Sequence, residues 1–224
     1  MLSLYSMPTT TTMSLLPTHA PRAQRRLAIT MAWLALGSQV ACSTADGDAT
    51  DEPPVARLAS GVVPGTDLLV ATVYDESTDE AIAYFCGGDT TFGTHTRWFS
   101  GGEQTQDGFT DAQDDWEVTV EVDDTGATGT LTEPDGTTHA FTTTAVGSDS
   151  IAGLYSARVD DCTAGVVVVD EGGQARAQGT YFCTEPEFSV QVIILAPVAL
   201  TPDGGIEVEV PLPEGTTTVL VAPV

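Results

Sequence analysis

The chain has no lysine, and its seven basic residues stand against 32 Asp and Glu, for a net charge of −25. Three of the arginines, Arg22, Arg25 and Arg26, precede the first carboxylate, Asp46, so everything after them is more acidic still. Such a surface repels polyanions, which excludes nucleic acid and anionic lipid headgroups as partners of the folded part. Histidine is also scarce, with only His19, His95 and His139. No Cys-x-x-Cys occurs and no two histidines lie close in sequence, so the usual spacings of a tight zinc site are missing. Gly-x-Ser-x-Gly elbows and phosphate-binding loops are absent too, which removes the best-marked hydrolase and nucleotide-binding classes. No cofactor is expected. Sustained 3.6-residue periodicity is lacking as well, so the chain does not read as helical.

The one apolar run of note, residues 27–37, is too short for a lasting transmembrane helix, which needs about 20 residues. It follows Arg22, Arg25 and Arg26 and precedes Ser38-Gln39-Val40-Ala41-Cys42. A basic segment, an apolar segment and small residues before a cysteine make an export signal of the lipoprotein type. Gln39 stands where an aliphatic residue is usual. Residues 1–41 are therefore expected to be a signal peptide, with Cys42 as the lipidation site. Residues 42–57 are small, polar and acidic, and cannot bury enough apolar surface to fold. They read as a flexible spacer ahead of a domain spanning residues 58–224.

That domain reads as all-β. Trp116-Glu117-Val118-Thr119-Val120-Glu121-Val122 alternates apolar and polar residues strictly, as a half-buried strand does. Turns at Asp123-Asp124-Thr125-Gly126 and Glu133-Pro134-Asp135-Gly136 separate it from residues 127–132 and 137–146, giving a three-stranded meander. Residues 205–210 and 216–221 predict a closing hairpin around Pro213-Glu214-Gly215. Short strands joined by short turns predict an antiparallel sandwich or barrel. Residues 68–86 align without a gap to residues 165–183, each an apolar strand, an acidic turn and a strand ending Tyr-Phe-Cys. That alignment suggests two similar hairpin-containing halves.

Cys86, Cys162 and Cys183 follow the spacer, and three thiols in an oxidising compartment cannot all pair within one chain. Cys162 lies ten residues before Gly172 and Cys183 ten after Gly173. A two-residue loop at Gly172-Gly173 would bring these two face to face, favouring a Cys162–Cys183 disulfide and leaving Cys86 single. The rival pairing is Cys86–Cys183. Cys86 with His95 could form a nucleophile and base, although no third member is identifiable; a buried thiol is the plainer reading. The loop of residues 107–115 crowds Asp107, Asp111, Asp114 and Asp115, which are oxygen ligands of the kind calcium takes, though without EF-hand spacing. With so many carboxylates, a solvated acidic loop is the simpler alternative. Trp98 and Phe99 read either as an exposed aromatic platform or as core at a strand end.

Ala83-Tyr84-Phe85-Cys86-Gly87-Gly88, Trp98-Phe99-Ser100-Gly101, Thr128-Gly129-Thr130-Leu131, Pro134-Asp135-Gly136, Phe141 and Ala152-Gly153-Leu154-Tyr155 together resemble a pattern found in secreted bacterial β-domains and lipoproteins. The resemblance covers residues 68–183 and rests on structural positions. That family has no assigned activity, so the resemblance implies an exported β-domain and adds no site. The expectation is a lipid-anchored envelope protein with a non-catalytic binding or structural role. Its partner would be an envelope protein or glycan, and it would meet the membrane only through its lipid. The alternatives are an extracytoplasmic hydrolase and a calcium-dependent binding module.

Overall fold

The computed structural model describes residues 56–78 and 80–224. The predicted leader, Cys42 and most of the spacer lie outside the described residues. Strand β1, Arg57–Val62, begins one residue ahead of the expected domain boundary. It opens a first half in which β2 (Leu69–Asp75), β3 (Glu80–Cys86) and β4 (Arg97–Ser100) pair antiparallel in sequence order. Between β3 and β4 lies one helical turn, α1 (Phe92–His95). Then come β5 (Glu103–Thr105), β6 (Gly108–Gln113), β7 (Trp116–Asp123), β8 (Gly126–Thr132) and β9 (Thr138–Ala145). The last of these returns to pair with β1, giving the sheet order β4-β3-β2-β1-β9-β8-β7-β6-β5.

The second half repeats this path. Strands β10 (Gly153–Val159), β11 (Cys162–Asp170), β12 (Ala175–Thr184) and β13 (Glu187–Gln191) run in order, followed by β14 (Ile193–Ile194), β15 (Ile206–Leu212) and β16 (Gly215–Pro223). Strand β16 returns to β10, and the sheet order is β13-β12-β11-β10-β16-β15-β14. The two orders correspond strand for strand, apart from the extra β5 and β6 of the first half. Even the closing bonds match: Val146 N–H donates to Leu58 O at 2.8 Å, and Val224 N–H to Leu154 O at 3.0 Å. The first sheet curls into a half-barrel and the second into a nearly closed barrel, so the all-β expectation holds. Closure of the second comes from one bent segment. Residues 187–191 pair with β12, Val192 N–H donates to Gly179 O at 3.0 Å, and residues 193–194 pair with β15.

Three apolar clusters follow from strand periodicity. Inside the first sheet, Val118, Val120 and Val122 from β7 meet Phe85, Phe99, Leu131 and Phe141, while Glu117 and Glu121 face solvent as the alternation predicts. Inside the second, Val166 and Val168 meet Tyr155, Val208 and Val221. The third lies between the halves, where Leu69, Ala71, Val73, Ile82 and Tyr84 pack against Leu154, Val167 and Val169. Strands β2 and β3 are thus buried on both faces, which explains why they read as nearly unbroken apolar runs. Trp98 packs against this third cluster and Phe99 enters the first, so neither forms an exposed platform.

The predicted meander and closing hairpin are both present, the latter turning between Leu212 and Gly215. Glu171 N–H donates to Gln174 O at 2.9 Å around Gly172-Gly173, both of which have positive φ. Cys162 and Cys183 face each other across that hairpin and are disulfide-bonded, while Cys86 is free and buried. Residues 68–86 and 165–183 both form hairpins, but turn for turn the offset is 95 rather than 97, since Asp75 pairs with Glu80 and Asp170 with Ala175. A two-residue slip leaves every side chain on its face, so the alternating pattern cannot register it. Cys86 consequently sits opposite Leu69, not opposite a cysteine.

Gly165 marks a close approach between the halves. A Cβ there would stand 2.9 Å from Trp98 Cζ3 and 3.2 Å from Tyr84 Cε1, and the Tyr84 hydroxyl donates to Gly165 O at 3.3 Å. Gly165→Val is expected to destabilise the fold by about 1–3 kcal/mol through overpacking. An unchanged urea midpoint would remove Gly165 from this role. Breaking the Cys162–Cys183 bond, with its sequence separation of 21, should cost about 3 kcal/mol in the chain-entropy model. Peptide mapping without reduction should find those two cysteines joined and Cys86 alkylated only after unfolding.

Candidate functional site

One end of the first half gathers the chemically distinctive side chains. The Asp123–Gly126 and Glu133–Thr137 turns set the register that does this. Leu131 on β8 pairs with His139 on β9, so Glu133, two residues on and on the same inward face, is the diagonal neighbour of His139. Trp116 begins β7 one step beyond the Glu117–Thr132 pair, facing Glu133 across the ladder. The result is a rim in which Trp116 is almost fully buried while Glu133 and His139 remain partly exposed.

His95 reaches this rim from α1. Strand β3 ends at Cys86, and Gly87 N–H donates to Thr96 Oγ1 at 3.0 Å, closing the loop that lets β4 return beside β3. Gly87 is obligatory here, because a Cβ would come within 2.5 Å of Phe92 N. Asp67 pins the same loop. Its Oδ2 accepts from Thr90 N–H at 2.8 Å and from the Thr90 hydroxyl at 2.6 Å, and its Oδ1 accepts from the Thr91 hydroxyl. Desolvation at this partly buried position raises the Asp67 pKa, but the donors of Thr90 and Thr91 outweigh it and hold the carboxyl down at about 2.

Glu133 Oε1 lies 2.6 Å from His139 Nε2 and 3.2 Å from His95 Nε2, so one carboxylate oxygen serves two imidazoles. On its other side, His95 Nδ1 lies 2.7 Å from Thr94 Oγ1. The two imidazoles meet edge to face with centroids 5.9 Å apart, and His95 packs edge-on to Trp116 at 5.2 Å. The bond from His139, more than partial desolvation can offset, holds Glu133 below its ordinary carboxyl range, with His95 adding to the effect. Arg97, on the inward face of β4, lays its guanidinium over Trp116 at 4.2 Å and reaches Asp114 Oδ2 at 3.9 Å. It thereby laces the edge strand β4 to the β6–β7 turn. Its Nε is buried without a partner.

His95 is thus on a one-turn helix, and the two histidines that are far apart in sequence are neighbours in space. The pairing of Glu133 with His139 was within reach of the sequence, since it needs only the hairpin register around Pro134-Asp135-Gly136. The arrival of His95 was not, because a loop brings it in. The calcium candidates are not brought together. Asp107 precedes β6 while Asp114 and Asp115 follow it, with six residues between at about 3.3 Å each. Asp111 turns back on its own neighbour, accepting from Ala112 N–H at 2.8 Å. Cys86 and His95 do not meet either. The Cys86 thiol lies in the cluster between the halves, where burial pushes its pKa up to about 12, so it stays an un-ionised thiol.

Cavities open elsewhere on the described residues. One, of about 490 Å³, is lined by Ile151, Ala175, Pro197 and Val198 among others; another, of about 310 Å³, lies beside Leu58, Val122 and Val146. Neither reaches the His95–Glu133–His139 cluster. Comparison with family models, curated proteins and solved structures finds no match to this chain.

The Asp67 clamp carries a pH signature. With its folded pKa below the ordinary value of 3.8, Asp67 stabilises fully above that value and loses its contribution as pH falls through about 2. Asp67→Asn should therefore cost about 1–2 kcal/mol near neutrality, and the gap in melting temperature from the parent should close between pH 4 and pH 2. An equal gap at both ends of that range would show that the charge is not what clamps the loop.

Proposed function

We propose that this chain is a lipid-tethered envelope protein whose β-domain binds a partner protein and carries out no catalysis. The observation that carries the reading is the distribution of exposed apolar side chains. Among the described residues, Val159, Phe182, Ile193, Leu195, Leu200, Leu220 and Val224 are the exposed large hydrophobics, and all of them belong to the second half. Ile193 stands opposite Glu209, and Glu207 opposite Leu220, on the outward face of β14–β16. Leu195, two residues past Ile193, continues the same row.

Exposed apolar residues that share one sheet face, as Ile193, Leu195 and Leu220 do, mark interaction surfaces. The interleaved Glu207 and Glu209 favour a partner with basic residues around an apolar centre. The tether is supported by the Arg22–Cys42 segment, whose basic, apolar and small-residue parts match a lipoprotein leader. The acidic stretch that follows would hold the domain off the membrane and leave this face free.

Both parts are open to test in a bacterium that processes lipoproteins. The full chain should partition into detergent, and Cys42→Ala should release it or block maturation. A photo-crosslinking residue at position 195 or 220 should capture a defined protein on intact cells, whereas one at Glu117, on the outward face of the first half, should not. Equal capture from both faces would sink the partner surface, and an unmodified N-terminus by mass spectrometry would sink the tether.

A further inference from the structure

We infer that His95, Glu133 and His139 form a binding site for a divalent transition-metal ion of the zinc class. The three ligand atoms, His95 Nε2, Glu133 Oε1 and His139 Nε2, lie within 4.8 Å of one another, and no other His, Cys, Asp or Glu group among the described residues is so placed. Two imidazoles and one carboxylate are a donor set that zinc accepts at about 2.0–2.2 Å. In a tetrahedron with such bonds, neighbouring ligand atoms stand about 3.3 Å apart. The His95–Glu133 separation of 3.2 Å already has that value, while the His139–Glu133 separation of 2.6 Å must open by a fraction of an ångström.

The proton inventory also fits. Without an ion, a carboxylate oxygen between two imidazoles is satisfied by Nε2–H from each, and His95 Nδ1 then accepts from the Thr94 hydroxyl 2.7 Å away. When an ion enters, each neutral imidazole presents its Nε2 lone pair and carries its proton on Nδ1; a charged imidazole first releases one proton to solvent. For His95 the Nδ1–H then donates to Thr94 Oγ1, and the hydroxyl turns to accept it. Thr94 thus plays the part that an outer-sphere partner plays in orienting a metal-bound histidine. Nothing is oxidised or reduced.

The surroundings favour a cation further. The chain's net charge of −25 raises the local concentration of cations over its whole surface. Arg97, the positive group nearest the rim, has its guanidinium spread over Trp116 and directed at Asp114. Three protein ligands fill three corners of a tetrahedron, and the partial exposure of all three leaves the fourth to water or to a donor from another molecule. Such an ion would tie the α1 loop to the β8–β9 hairpin, adding to the Glu133 hydrogen bonds and the His95–His139 contact that already join them. The inference rests on the first half alone and is independent of the partner surface on the second.

Untagged protein, freed of metal with a chelator and then dialysed, should bind one Co²⁺ with the intense visible bands of a tetrahedral site, and Zn²⁺ should abolish them stoichiometrically. His139→Ala on β9 and His95→Ala on α1 should each weaken binding by about 100-fold or more, a loss at or beyond that from outer-sphere changes. Asp107→Asn and Asp111→Asn should leave it within about threefold. Far-ultraviolet circular dichroism and an intact Cys162–Cys183 bond would show that each variant is folded, and having the two histidines on different elements guards against one failing to fold. Failure of the parent to bind Co²⁺ or Zn²⁺ at micromolar concentration, or binding retained in both histidine variants, would overturn the site and leave a hydrogen-bonded triad.

Discussion

The packing of two apolar faces against each other governs this structure. Strands β2 and β3 offer Leu69, Ala71, Val73, Ile82 and Tyr84, and strands β10 and β11 answer with Leu154, Val167 and Val169. Each of these strands also lines the core of its own half, so a single element serves two packed layers at once. That double duty favours apolar residues on both faces and accounts for the valine- and alanine-rich runs, which Thr72 alone interrupts in the buried part of β2. It also requires a small residue where the aromatic pair Tyr84 and Trp98, 4.5 Å apart, presses on the opposing sheet, and Gly165 is that residue.

Around this shared layer, each half is built by one rule: its last strand returns to its first. The disulfide and the bent segment of residues 187–194 reinforce the second half, whereas the first relies on side chains at its rim. Arg97 bridges its open edge, Tyr74 donates to Thr105 O from the other side of the core, and Asp67 fixes the loop that carries His95. The rim cluster is thus held by contacts that are themselves polar and partly exposed. The rim of the first half therefore holds the most distinctive chemistry among the described residues.

Most of the fold was legible because strands announce themselves two residues at a time. The β7 alternation, the Pro134-Asp135-Gly136 turn and the Gly172-Gly173 loop each determine register locally, and the Cys162–Cys183 bond follows from register alone. What escaped is what depends on long-range placement. His95 and Glu133 are 38 residues apart and meet only because an irregular loop, shaped by Gly87 and Asp67, folds over the sheet end. No periodicity encodes such a loop. The acidic run at residues 107–115 shows the opposite case: its carboxylates are close in sequence, but a strand separates Asp107 from Asp114 and Asp115.

The return of β9 to β1 has a consequence for how the chain comes together. All the ladder partners of the first sheet lie within residues 57–145, so that sheet can complete its pairing before the second half of an emerging chain is present. In that interval Leu69, Ala71 and Val73 have no cover, and a second nascent copy would offer the same uncovered face. Residues 153–169 supply the cover for that surface in the finished fold. The short linker from Val146 to Gly153 keeps the effective concentration of that cover high, and proximity in the chain decides whether this face meets its own second half or a neighbour's.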